Sequence, residues 1–306
     1  MKLFNDTNQP PAVTKRNPWI ALVLSLFVPG LGQVYNGQLP KGAIGVALLI
    51  LMPFVFGLTR WTTYFTGLLI LIFLELCLKL WLIIDAFIHA KRLQQYVRKS
   101  YNTWLNHLLI GLGVFVVVIV FDVKELMGVE TFVIPSAAME PTIKVGDYVS
   151  VDLWAYKNEQ PAYGHIIAAK AEDGQVYAFR VVGLPGDEVQ IIDNQPVVNG
   201  KAWPFIEQGI SSSGGWEVQE FSAKVPKGLE YRGYTILNLP TRNRLQPNHG
   251  PVMVTNDSFF LLADSRDNGV DSRFLGTFRK EDIKGRLVYT YWGASWGRVG
   301  LDLRHQ

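Results

Sequence analysis

The chain has 306 residues, 49% of them apolar, one cysteine, and a positive mean hydropathy. This composition excludes a disordered chain, a disulfide framework within one molecule and an all-cysteine zinc site. Charge divides the chain: residues 1–122 carry 10 Lys+Arg against 4 Asp+Glu, and residues 123–306 carry 19 against 22, so the first part reads as membrane and the second as a soluble domain.

Four apolar segments lie in residues 1–122. The first runs from Trp19 to about Tyr35; the second, between Lys41 and Arg60, has 18 uncharged residues. The third runs from about Trp61 to Phe87, and the fourth, between Lys99 and Asp122, has 22 uncharged residues. A span needs about 20 residues, which predicts transmembrane helices at about 42–59, 61–87 and 104–121. No cleavable signal-peptide pattern precedes them. Lys91, Arg92, Arg98 and Lys99 make the densest positive loop, so that loop belongs in the cytoplasm and residues 123–306 outside it. Segment 19–35 is ambiguous. Pro29-Gly30-Leu31-Gly32 breaks it after Val28. A full crossing puts Lys2, Lys15 and Arg16 outside, against the charge rule; a re-entrant segment keeps them inside, and is the reading preferred. Glu75, Lys79 and Asp85 interrupt segment three. Glu75 and Lys79 are expected to pair at i, i+4, with Asp85 near the cytoplasmic end. Cys77 reads as a small buried thiol.

After Asp122 the pattern changes to short runs of β-branched and aromatic residues with period two: Tyr148–Leu153, His165–Ala169, Val176–Val182, Phe259–Ala263 and Arg286–Trp292. The fold class expected is an N-terminal helical membrane region (1–122, three to four apolar segments) followed by a mostly-β domain (123–306). Residues 200–256, rich in Gly, Pro, Ser and Asn, read as a long excursion. Trp19, Trp61, Trp81 and Trp104 suit a membrane interface. Trp203, Trp216, Trp292 and Trp296 are either core or a membrane-facing surface.

Three turn-rich motifs punctuate the second half. They are Ile134-Pro135-Ser136-Ala137-Ala138-Met139-Glu140-Pro141-Thr142 with Gly146-Asp147, then Arg180-Val181-Val182-Gly183-Leu184-Pro185-Gly186-Asp187, then Ala263-Asp264-Ser265-Arg266-Asp267-Asn268-Gly269-Val270-Asp271-Ser272-Arg273. Their order, their spacing and their position after a final membrane helix resemble the type I signal peptidases (leader peptidases, family S26) over about residues 130–292. The resemblance implies a serine endopeptidase that cuts signal peptides from secreted precursors on the outer face of the cytoplasmic membrane. Its chemistry needs an attacking hydroxyl, a lysine whose pKa burial has lowered so that it accepts the proton, and donors for the oxyanion.

Carried over residue by residue, the resemblance puts the nucleophile at Ala138, the lysine at Phe179 and a lysine-contacting serine at Gly269. A methyl and a phenyl group can neither attack a carbonyl nor accept a proton, so no catalytic residue is intact. Ser136, where the family has an oxyanion-hole serine, and Met139 are the oxyanion or peptide-binding candidates. In an extended segment Ser136 would sit about 6.6 Å from position 138. Lys144, Lys170 and His165 are bases by composition only, and His165 reads as an exposed or strand-edge side chain. Pro135, Pro141, Gly146, Asp147, Arg180, Gly183, Pro185, Gly186, Asp187, Asp264, Arg266, Asp271 and Arg273 are expected to hold the scaffold through turns and carboxylate–guanidinium pairs.

The function expected is that of a membrane-bound, non-catalytic signal peptidase I homologue, multi-pass in the cytoplasmic (inner) membrane with its C-terminal domain on the extracytoplasmic side. Its partners would be membrane lipid and signal peptides, secreted precursors or an active signal peptidase. Two alternatives stand: an active peptidase with a rearranged centre, and a membrane scaffold or transport-associated protein. No metal site, cofactor or nucleic-acid-binding stripe is expected.

Overall fold

The computed structural model describes residues 13–120, 123–213, 216–224, 234–238 and 246–305. The chain forms two compact units: Met1–Trp61 with Gly67–Met127, and Thr62–Thr66 with Gly128–Gln306.

The first unit is helical. A two-residue strand β1 (Val13–Thr14) precedes α1 (Pro18–Phe27), α2 (Leu31–Tyr35), α3 (Leu39–Leu58) and α4 (Phe65–Arg92). Strand β2 (Tyr96–Val97) pairs with β1, and α5 (Trp104–Val120) and α6 (Val123–Met127) follow. Among the described residues α3 and α4 are long and apolar enough to cross a membrane, whereas α1 and α5 are shorter apolar helices. The expected fourth span ends at Phe121, outside the described residues. Helix α4 starts later than expected because Arg60 takes a left-handed φ of 64° and Trp61–Thr63 form a 3-10 turn. It runs past Phe87 to a last turn carrying His89, Lys91 and Arg92, cations favoured at a helix C-terminus.

Segment 19–35 folds as a helical hairpin. Gly30 turns the chain with φ 86°, and a Cβ there would come within 2.6 Å of the Gly42 carbonyl oxygen. The two ends of the hairpin meet: the Asn17 N–H donates to the Tyr35 hydroxyl at 3.3 Å, and the Arg16 guanidinium lies 4.3 Å from the Tyr35 ring centroid and 4.0 Å from that of Tyr96. Gln33, fully buried, donates to the Leu82 carbonyl (2.6 Å) and to Asp85 (3.2 Å), and Ser25 donates to Gln33 at 3.3 Å. Asp85 does not merely lie near a helix end; it pairs with Lys41 at 2.6 Å. No ion pair joins Glu75 to Lys79 among the described residues. Cys77 is exposed rather than buried: on a helix bathed in hydrocarbon the apolar surface need not face inward.

The second unit is β. In chain order its strands are β3 (Val129–Val133), β4 (Tyr148–Asp152), β5 (Ile166–Lys170), β6 (Val176–Gly183), β7 (Glu188–Ile192), β8 (Gln195–Val198) and β9 (Lys201–Ala202). They continue with β10 (Phe205–Ser213), β11 (Trp216–Ala223), β12 (Tyr234–Asn238), β13 (His249–Met253) and β14 (Ser258–Leu262). A short helix α7 (Ser272–Leu275), β15 (Phe278–Arg279) and β16 (Ile283–Trp292) complete it. The main sheet has the order β15-β14-β6-β5-β16-β4-β3, beside a four-stranded sheet β13-β7-β8-β9 and a three-stranded sheet β10-β11-β12. Every ladder among the described residues is antiparallel, the arrangement that short connections permit.

The alternation read from sequence sorts side chains between buried clusters more than between core and water. All five residues of β14 are buried. Leu261 joins Ile167, Phe179, Val181, Phe259 and Phe278 in one cluster, Phe260 and Leu262 join Val182, Val189 and Trp203 in a second, and the next residue, Ala263, joins Met139, Ile143 and Ile166 in a third.

Candidate functional site

The three motifs converge on one buried ion pair. Arg180 Nε and Nη2 donate to the two carboxylate oxygens of Asp264 at 2.7 and 2.6 Å, and the pair is almost fully buried. The Thr142 hydroxyl donates to Asp264 at 2.6 Å, and Arg180 Nη1 donates to the Gly164 carbonyl at 2.9 Å. One residue from each motif is thus locked to the other two. A bidentate geometry with the remaining lone pairs satisfied is what a buried pair requires. The third motif is braced again by Asp271, which accepts from Arg273 and from the Ala263 N–H at 3.0 Å. Of the four charges expected to pair there, Arg266 is held differently: its Nη1 donates to the Asn194 carbonyl at 3.3 Å.

Gly146 (φ 83°) and Gly186 (φ 85°) make the turns before Asp147 and Asp187. Asp147 is fully buried and accepts from Arg298 at 2.6–3.0 Å, from Lys144 N–H and from Ala294 N–H. Burial pushes its pKa up, but these donors outweigh it and hold the carboxyl below its ordinary value. Asp187 accepts from the Tyr163 hydroxyl at 2.6 Å and from Leu184 N–H at 2.7 Å. Gly183 leaves room for Val189 and Phe260, which a Cβ would meet at 2.5 and 2.9 Å.

Around this frame lie the positions that the resemblance singles out. Ser136 is extended (φ −130°, ψ 158°) and exposed, but Ala137–Met139 form a 3-10 turn. The segment 136–138 is therefore not extended, and the same-facing separation expected for Ser136 and Ala138 does not apply. Ser136 makes no side-chain hydrogen bond among the described residues. Ala138 packs beside Met139 and Ala263, and its carbonyl accepts from Ser265 N–H at 2.9 Å. Gly269 stands next to it: a Cβ on Gly269 would lie 3.6 Å from that of Ala138 and would overlap that of Ala263. Phe179 points away from Arg180, as strand alternation requires. It is 2% exposed, its ring 5.3 Å from Phe278 and 5.9 Å from Tyr177.

His165 is neither exposed nor at a free edge. It is buried, its Nδ1 3.0 Å from the Tyr156 hydroxyl, and burial with the nearby Arg286 charge pushes its pKa down to about 3. Lys170 is exposed on β5. Trp203 is core, whereas Trp292 and Trp296 are exposed and meet edge to face with centroids 5.4 Å apart. The Trp216 side chain is outside the described residues.

Strand β6 has an open stretch. β5 pairs with it from Val176 to Arg180, but β14 pairs with it only from Arg180 to Gly183. Residues 176–179 thus have no strand on their β14 side among the described residues. Strand β3, which leads into Ser136, pairs only with β4 among the described residues. Unpaired edges of this kind take up extended peptides.

The family model described as "Signal peptidase, peptidase S26" matches residues 102–292. The chain belongs to the S26 signal peptidase family. It is 28% identical over 212 residues to "Probable signal peptidase I-2" of Synechocystis sp., a match covering 65% of this chain and 78% of that protein. It is 30% identical over 180 residues to signal peptidase I of Leptolyngbya laminosa, covering 54% and 72%. Signal peptidase I of Bacillus amyloliquefaciens is 29% identical over 162 residues, covering 52% and 74%. A signal peptidase I structure from Enterococcus faecalis aligns at 23% identity with 42% of this chain and 98% of its own, at a TM-score of 0.26. The family match ends at Trp292, so Arg298, the partner of Asp147, lies beyond it.

Sequence reading missed Arg298 and the Ala263–Gly269 contact. A buried aspartate in need of a cation was the one available signal for the first; the second leaves none, since residues six positions apart in a turn-rich motif carry no periodicity that pairs them.

Proposed function

We propose that this S26 protein binds extended peptides in its β unit without cutting them, as a non-catalytic homologue of signal peptidase I. The reading rests on one observation above others: the places of nucleophile and base hold Ala138 and Phe179, and the phenyl ring is packed into an aromatic cluster. Loss of a nucleophile or a base costs on the order of 10⁴–10⁶ in rate. The backbone of β6 at 176–179, paired with β5 but open on its β14 side among the described residues, offers a peptide hydrogen bonds that need no catalyst. The scaffold pairs Arg180–Asp264 and Asp271–Arg273 support retention of a folded groove.

The protein sits in the cytoplasmic membrane with residues 123–306 as an extracytoplasmic domain, and its ligands are signal peptides, secreted precursors or an active signal peptidase. The test uses the full-length protein in detergent with a secreted precursor, the new termini read by mass spectrometry beside an active signal peptidase. Retention of the precursor without a cut is the expected result. A single cut after a small residue, abolished by Ser136→Ala, would overturn the reading and make Ser136 a relocated nucleophile.

A further inference from the structure

The helical unit contains a cavity of about 350 Å³ that the peptide-binding reading does not use. The turn of the α1–α2 hairpin (Val28, Pro29, Gly30), one face of α3 (Gly42, Val46, Ile50) and Val114 of α5 are among its lining residues. No polar side chain lines it.

Its origin is geometric. The ten residues of α1 rise about 15 Å, half of the roughly 30 Å hydrocarbon core. Helix α3 is twice as long, with 20 residues. Gly30 seats the hairpin turn against Gly42, only three residues into α3. Beyond that level α3 and α5 continue, but the hairpin has already turned back. Val46, Ala47, Ile50 and Val114 therefore face a space that a full-length helix would have filled.

We propose that this cavity holds one acyl chain of a membrane phospholipid. Volume decides the occupant. A ten-residue helix, 10–12 Å across and 15 Å long, needs on the order of 1,200 Å³, several times what is present. An apolar cavity of about 150 Å³ accepts benzene, so this one has room for roughly a dozen carbons in an unbranched chain. A wholly apolar lining excludes water and gives a polar ligand nothing to bind. Two cations adjoin the hairpin's base, Arg16 over the Tyr35 ring at 4.3 Å and Lys99 donating to the Gly37 carbonyl at 2.8 Å, and Lys15, Lys91, Arg92 and Arg98 are near them in sequence. They favour an anionic headgroup at the interface.

The test is photocrosslinking in the full-length protein, reconstituted in bilayers doped with an anionic phospholipid that carries a diazirine at mid-chain. Labelled peptides are mapped by mass spectrometry in the parent, in Ala47→Trp and Ile50→Trp, which intrude into the cavity, and in Leu48→Trp on the exposed side of α3. Labels on α3 and α5 are expected in the parent. They should fall roughly tenfold or more in each filled variant, since excluding two or more methylenes costs that much affinity, and stay unchanged in Leu48→Trp. Two filling variants guard against one that fails to fold. Equal labelling in all four proteins would mean unspecific boundary lipid and overturn the proposal. So would displacement of the label by a soluble apolar signal-sequence peptide, which would make the cavity a peptide site. Neither result depends on whether the β unit binds or cuts precursors.

Discussion

The methyl of Ala263 occupies the space that any side chain on Gly269 would need. The two residues interlock: with Ala263 in place, position 269 has no room for a Cβ. On the non-catalytic reading proposed above, placing a serine at 269 meets this overlap first. The triple variant Ala138→Ser, Phe179→Lys, Gly269→Ser should be overpacked by about 1–3 kcal/mol and inactive. Adding Ala263→Gly removes the clash, and the fourfold variant is expected to fold better than the threefold one and to cut a secreted precursor. Thermal unfolding and the termini of the products check both statements. A threefold variant as stable as the fourfold one would refute the interlock.

Arg298 grips Asp147 with three contacts of 2.6–3.0 Å and also donates to the Thr142 carbonyl at 2.8 Å. It thereby ties the chain beyond the family match to the segment that follows Met139. Removing one partner of a buried pair leaves an uncompensated charge and costs about 3–5 kcal/mol. Arg298→Ala should destabilise the protein by this order, and Asp147→Asn/Arg298→Ala together by less than the sum of the single changes. Urea unfolding of the four proteins in one detergent gives the coupling directly.

How far the sequence led can be argued from particular residues. The strands around Arg180 and Arg286 were legible because β-branched runs between turn residues have few other options. The hairpin at 19–35 was legible as a break at Pro29-Gly30, but its closure depends on Tyr35 meeting Arg16 and Asn17, which no periodicity encodes. Long-range pairings were out of reach for the same reason: Lys41 and Asp85 lie 44 positions apart, Asp147 and Arg298 151. The misreading of Ser136 came from extending a strand through residues that turn. That of His165 and Cys77 came from averages: histidines are usually part-exposed and cysteines usually buried, but a tyrosine hydroxyl partner and a lipid-facing helix reverse each expectation.

His165 carries an acid-stability signature. Its folded-state pKa is pushed down to about 3, against about 6.5 when unfolded. Above pH 6.5 both states are neutral and nothing is lost. As pH falls from 6.5 toward 3 the unfolded state binds a proton that the folded state refuses, so stability falls by up to about 1.4 kcal/mol per pH unit. The β unit should therefore melt lower at pH 5 than at pH 7. His165→Gln, which keeps an acceptor for the Tyr156 hydroxyl and the Ala162 N–H without titrating, should flatten that slope while lowering stability at pH 7 modestly. An unchanged slope would place the acid sensitivity in other groups.

The contacts of Tyr35 and the β1–β2 ladder make a topological prediction. Residues 13–14 pair with residues 96–97, and Asn17 meets Tyr35, so the start of α1, the end of α2 and the loop after α4 share one side of the membrane. Thr62–Thr66 belong to the β unit: the Tyr289 hydroxyl donates to the Thr62 carbonyl at 3.0 Å, and the Phe65 ring meets Tyr289 edge to face. Residues 62–66 of the α3–α4 connection are thus part of the β unit. In a Cys77→Ser background, single cysteines replacing Lys15 and Gln95 are expected to react with an impermeant maleimide from one face. Cysteines replacing Trp61 and Glu172 are expected to react from the other. Labelling of Lys15→Cys together with Glu172→Cys would make segment 19–35 a full crossing and overturn the hairpin.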